Sequence, residues 1–114
     1  MTLSKRIAAL EGPDRRIDAT VWNLVDRPEP NDPDRNLYMF DRIVARIMAG
    51  GDDEECPLYT QSIDAALSIV EPSMQDYIMD EAMKRVDSRV VIIGKFNEQL
   101  ARAICEVALE GKGL

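Results

Sequence analysis

Two aspartates sit in the same local frame, Ile17-Asp18-Ala19 and Ile63-Asp64-Ala65. Carboxylates repeated in this way on facing helices could share a proton or hold a magnesium ion. The competing reading is local and is the favoured one: an aspartate near a helix start accepts backbone N–H groups or pairs with an arginine such as Arg15. A second concentration of carboxylates is the run Asp52-Asp53-Glu54-Glu55. Its acids are consecutive and lack the spacing and closing glutamate of an EF-hand, so they read as a solvated loop and not as a calcium site. The two cysteines, Cys56 and Cys105, form no Cys-x-x-Cys pair and are expected as free thiols in a reducing compartment. The acids beside Cys56 should raise its pKa, not activate it.

What is missing narrows the chemistry further. The chain has no histidine, which removes Ser-His-Asp and Cys-His catalysis, His-based zinc chemistry and imidazole proton shuttles. Two separated cysteines cannot close a tetrahedral metal site. Gly50-Gly51 is followed by acids that would repel phosphate, so it is no phosphate loop. No catalytic residue, metal-ligand set or cofactor site is therefore expected, and the protein reads as a non-enzyme. Carboxylate-only chemistry at Asp18 and Asp64 is the one enzymatic reading that survives.

Charge speaks to partners. The chain carries 21 acids against 14 bases, a formal net charge of −7. Nucleic acid and anionic membrane both require a positive field, so direct binding to either is disfavoured, whereas a basic protein partner is suited. The acids expected to face such a partner are Asp52, Asp53, Glu54 and Glu55, with Glu29, Asp32 and Asp34 from a proline-rich stretch. No apolar run approaches the roughly 20 residues of a membrane-spanning helix. The opening residues do not resemble a signal peptide, so a cytoplasmic location is expected.

These side chains need elements to hold them. With 114 residues, 46% of them apolar and 31% charged, one globular domain over 1–114 is expected. Leu3, Ile7 and Leu10 have helical spacing, closed by Gly12-Pro13. Pro13 suits the first turn of a second helix with Ile17, Val21, Leu24 and Val25 as its buried stripe and Trp22 on the flank. Three prolines make 26–36 a loop. Phe40, Ile43, Val44, Ile47 and Met48 mark a strongly amphipathic helix ended by Gly50-Gly51. Thr60 or Ser62 caps a helix carrying Ile63, Ala66, Leu67 and Val70, stopped by Pro72. Residues 74–86 suit a helix by propensity, yet Tyr77, Ile78 and Met79 also suit a strand. Val90-Val91-Ile92-Ile93 is β-branched throughout and reads as a buried strand after a turn at Asp87-Ser88. Asn97 caps a last helix with Leu100, Ala101, Ile104, Cys105 and Ala108, ended by Gly111. The expected fold class is thus α+β, a small antiparallel sheet of two to three strands packed against about five helices.

Three segments also carry a resemblance. They are Glu11-Gly12-Pro13-Asp14-Arg15-Arg16-Ile17-Asp18-Ala19, then Tyr59-Thr60-Gln61-Ser62-Ile63-Asp64-Ala65-Ala66-Leu67 with Val70 and Pro72 beyond, and the last helix around Leu100 to Cys105. In this order they resemble the small phage and prophage proteins of the phage ABA sandwich domain family. The resemblance implies a sheet between helical layers, which favours a strand at Tyr77 to Met83. It also implies a phage origin, and it brings no catalytic activity. The chain departs from the family pattern over Asp26 to Cys56 and directly after Pro72.

Together these features lead to the expectation of a phage-encoded protein that acts by binding in the cytoplasm of a bacterial host. Its partner would be a host protein such as a nucleic-acid-binding defence complex, inhibited by acidic mimicry in the manner of anti-CRISPR proteins. The alternative expectation is a structural or regulatory phage component that forms a homodimer through a strand edge or the Phe40–Met48 face.

Overall fold

The computed structural model describes residues 1–114 and contains helices without any β-strand. The six helices are α1 (Leu3–Ala8), α2 (Arg15–Val25), α3 (Leu37–Met48), α4 (Ile63–Leu67), α5 (Gln75–Asp87) and α6 (Phe96–Gly111), with a 3-10 turn at Pro72–Met74. They fall into two compact units, one built from Met1–Asp14 and Leu58–Leu114, the other from Arg15–Pro57.

The first unit is organised on α6. Helices α1, α4 and α5 all pack against it, and every residue from Leu100 to Leu109 is buried. A helix buried all round is normally apolar all round, yet α6 places Arg102 and Glu106 inside. Thr2 caps α1 by accepting the Lys5 N–H, and Ser62 caps α4 by accepting the Ala65 N–H. In α5 the buried residues are Ile78, Ala82 and Val86, one helical turn apart. Lys84 lies 3.3 Å from both Asp80 and Glu81 on the outer face, the i,i+4 and i,i+3 pairing that supports an exposed helix surface.

The second unit is a hairpin of α2 and α3 followed by the loop to Pro57. Asn36 caps α3 by accepting the Met39 N–H at 3.1 Å. Phe40, Ile43 and Ile47 form its buried stripe, and Trp22 of α2 meets Phe40 with ring centroids 4.4 Å apart. Gly50 ends α3 with a φ of 101°, a left-handed conformation that a side chain would strain. At Gly51 a Cβ would fall 2.9 Å from Arg46 Cγ and 3.0 Å from the Arg46 carbonyl oxygen, so the chain turns tightly only because both positions are glycine.

The expected α+β class with its antiparallel sheet is overturned. Residues 75–87 are helical because Gln75, Glu81, Ala82, Met83, Lys84 and Arg85 are strong helix formers, and because a helix buries Ile78, Ala82 and Val86 on one face. This removes the strand expected at Tyr77 to Met83, and with it the sheet between helical layers. Val90-Val91-Ile92-Ile93 then has no partner, and a lone strand leaves its backbone groups unpaired. The segment is an exposed loop, with Val90 at 85% and Ile93 at 99% exposure. It is held by Gln99, whose side-chain amide donates to the Val90 carbonyl at 2.9 Å and accepts the Ile92 N–H at 3.1 Å. Smaller corrections follow the same logic. Helix α2 begins at Arg15, beyond Pro13, and α6 begins at Phe96, so Asn97 lies within its first turn and not at its cap. Leu24 is exposed, and Trp22, expected on the flank, is buried.

Candidate functional site

The acidic run is not a free loop. The Arg15 guanidinium, at the start of α2, donates from Nε to Asp52 Oδ1 at 2.8 Å and from Nη1 to Asp18 Oδ2 at 2.9 Å. It also donates to the carbonyls of Asp53, Cys56 and Pro57 at 2.8, 2.9 and 3.2 Å. Five acceptors match the five N–H donors of the group. The loop curls further on itself, with Asp52 Oδ1 accepting the Asp53 N–H at 2.7 Å and Asp53 Oδ1 accepting the Glu55 N–H at 2.9 Å. Asp53 Oδ2 pairs with Arg46 at 3.1 Å. The hydrogen bond from Arg15, then that from the Asp53 N–H, holds the Asp52 carboxyl below its ordinary range. Burial pushes the Cys56 thiol up to about 11; Arg15 opposes this, while Asp18, Asp52 and Asp53 add to it. Of the four acids in the run, Asp52 and Asp53 therefore serve the loop, and the carboxylates of Glu54 and Glu55 remain outside any salt bridge.

The proline loop divides in the same way. Asp26 pairs with Arg35 at 3.2 Å, and Asp32 Oδ1 accepts the Asp34 N–H at 2.9 Å, an Asx turn that shapes the stretch after Asn31. Arg27 grips Asp41 of α3 with contacts of 2.8 and 3.3 Å. The carboxylates of Glu29 and Asp34 enter no salt bridge.

Two of these acids, one from each loop, border the same pocket. Asp34 and Glu55 line a single pocket of about 270 Å³ whose other walls are Trp22, Pro28, Arg35, Asn36, Met39, Phe40 and Ile43. Trp22 and Phe40 reach the pocket only by the edges of two largely buried rings, and the Arg35 guanidinium lies 5.9 Å from the Phe40 ring centroid. Since Arg35 is balanced by Asp26, Asp34 and Glu55 leave the pocket with surplus negative charge. A mixed lining of apolar residues with two acids at its border suits a long basic side chain, whose methylene stem packs on carbon while its cation is attracted by the acids. Glu29, Asp32, Asp52, Asp53 and Glu54 do not line this pocket. Sequence reasoning missed Trp22, Met39 and Phe40 as site residues; the one available signal was aromatic residues flanking an acid-rich loop.

The other sequence candidates resolve individually. Asp18 is buried and pairs with Arg15 in the second unit, whereas Asp64 is exposed in the first turn of α4 in the first unit. Cys56 and Cys105 are both free and buried. No group of three or more Cys, Asp or Glu side chains is placed to hold a metal ion, and no helix is long and apolar enough to cross a membrane.

No protein-family model, no curated protein and no solved structure matches the chain. The site therefore has to be read from its own chemistry.

Proposed function

We propose that the protein acts by binding a basic protein partner, with the pocket bordered by Asp34 and Glu55 receiving an arginine or lysine of that partner. The observation that carries this reading is that Asp34 and Glu55, two acids outside any salt bridge and on separate loops, border the same pocket. Loops already tied down by Arg15 and by the Asp32 turn lose little freedom on binding, which favours affinity. In its fuller form the reading is of a phage-encoded inhibitor, whose acidic surface occupies the nucleic-acid groove of a host defence nuclease. The net charge of −7 supports it, because a field of that sign speeds encounter with a basic groove. Residues Glu29 and Glu54 would supply long-range attraction, and the pocket would supply the contact.

The test is retention of bacterial host proteins on the immobilised chain, compared with the Asp34→Asn/Glu55→Gln double variant. The expected result is a nucleic-acid-binding protein that is released by salt, competed off by nucleic acid and lost on the double variant. Retention indifferent to salt, to nucleic acid and to both substitutions would overturn the reading.

A second reading has one observation in its favour. Four consecutive apolar residues, Val90 to Ile93, are exposed, and such a segment could pair with its copy in a homodimer. The Phe40–Met48 face cannot serve that purpose whole, because Phe40, Ile43 and Ile47 are already buried. Light scattering over a concentration series separates the two readings: a strict monomer ends the homodimer.

A further inference from the structure

Arg102 is an arginine inside a helix core, with 6% of its surface exposed. One N–H of its guanidinium donates to the Thr60 carbonyl at 3.2 Å, and the side chain enters no salt bridge. It borders a cavity of about 60 Å³ in the first unit, together with Ile7, Val86, Arg89, Gln99 and Glu106. The charges around this cavity do not cancel. Glu106 is gripped by Arg89 through two contacts of 2.7 and 2.8 Å and approached by Arg85 at 3.5 Å. Arg85 also pairs with Glu110. The lining itself thus carries two guanidinium groups, Arg89 and Arg102, against the one carboxylate of Glu106, and Arg102 is the more deeply buried of the two cations.

Burying a cation without a partner is costly, and the usual remedy is a counter-charge at hydrogen-bonding distance. The desolvation is felt at Arg102, whose pKa burial pulls below the ordinary arginine range against the partial help of Glu98 and Glu106. Arg89 keeps N–H donors beyond those it gives to Glu106, and its contacts to that carboxylate offset part of the negative charge that Glu106 brings to the lining. A cavity of this volume has room for roughly two waters, the scale of one small oxyanion. Planar, forked guanidinium donors are suited to such a group.

We infer that this cavity is a binding site for a small free oxyanion of the phosphate class, held by Arg102 and Arg89. The inference stands apart from the acidic pocket, since it uses different residues in the other unit. Its test is thermal unfolding of the whole chain with inorganic phosphate, acetate or additional chloride at constant ionic strength. Phosphate is expected to raise the Tm by several degrees in a saturable manner, with chloride giving no shift. Arg102→Met, which keeps the stem but removes the charge, is expected to abolish the phosphate shift. If that variant does not fold, saturable broadening of the phosphate ³¹P resonance by the unmodified protein, reversed by sulfate, supports the site. Equal shifts with phosphate and chloride, or phosphate broadening that neither saturates nor reverses, would overturn it.

Discussion

Arg15 and Asp52, 37 positions apart in the chain, meet through Nε and Oδ1 at 2.8 Å, and this contact turns an acidic run into a folded loop. The same guanidinium holds buried Asp18 and three carbonyls. Arg15→Met is therefore expected to cost about 3 kcal/mol, because it leaves a buried carboxylate without its cation. Arg15→Lys should recover only a minor part, since an ammonium cannot reproduce the fork. Urea unfolding measures both. The pairing also sets a pH dependence. Asp52 is held below its ordinary value of 3.8, so its contribution is present above that pH and is lost as pH falls further, through the depressed folded value. In Arg15→Met this acid-side loss should be diminished.

Glu106 lies buried beneath Arg85 and Arg89, whose side chains are 29% and 42% exposed. Glu106→Gln is expected to destabilise the chain by about 2 kcal/mol, less than a fully buried broken pair, because both arginines can turn to water. Glu110→Gln, at the exposed end of the cluster, should cost well under about 1 kcal/mol. Denaturant midpoints for the two variants test the ranking.

Cys56 should be a slow thiol. With its pKa pushed up to about 11 from 9.0, its thiolate fraction at pH 8 is about a hundredfold below that of an ordinary cysteine, and since the side chain is also buried, alkylation should slow strongly. The linked stability effect has a definite sign. The folded thiol keeps its proton more tightly than the unfolded one, so its contribution is complete below pH 9.0 and is lost as pH rises toward about 11. Cys56→Ala should remove that alkaline decline, read as the difference in urea midpoint between pH 8 and pH 10.5.

Val90 to Ile93 carries little of the folding energy. Val90→Lys and Ile93→Lys are each expected to change stability by no more than about 0.5 kcal/mol and to leave the helical circular dichroism intact. A buried strand would not tolerate either. Gly94, which turns the chain at a φ of 81°, should behave oppositely: Gly94→Val is expected to cost about 1 kcal/mol from backbone strain. Circular dichroism and thermal melts of the three variants distinguish the cases.

Much of the helical layout was legible in periodicity and caps. Phe40, Ile43 and Ile47 announce α3, Ser62 caps α4, and Leu100 to Ala108 announces α6. The misreading of Val90 to Ile93 came from β-branched composition, which describes what a segment could pair with, and a strand exists only when a second strand is there. Residues 74–86 were open between helix and strand, and the strand at Tyr77 to Met83 was only what the resemblance implied. The acids of the candidate site were legible as acids, while their division into tied and free was not. Whether Asp53 meets Arg46 or Glu55 reaches a pocket depends on where the chain turns after Gly50-Gly51, and no local pattern encodes that.

By itself, then, the sequence determined the excess of acid, the absence of histidine chemistry and most helix positions, because these follow from residue type and short-range spacing. The tertiary structure alone decided that Arg15 folds the acidic loop, that Asp34 and Glu55 share a pocket, that Arg102 is buried beside a cavity, and that Val90 to Ile93 lies outside. The first three join residues far apart in the chain, and the last follows from the lack of any distant strand; all are settled by the packing of whole helices rather than by any neighbour in sequence.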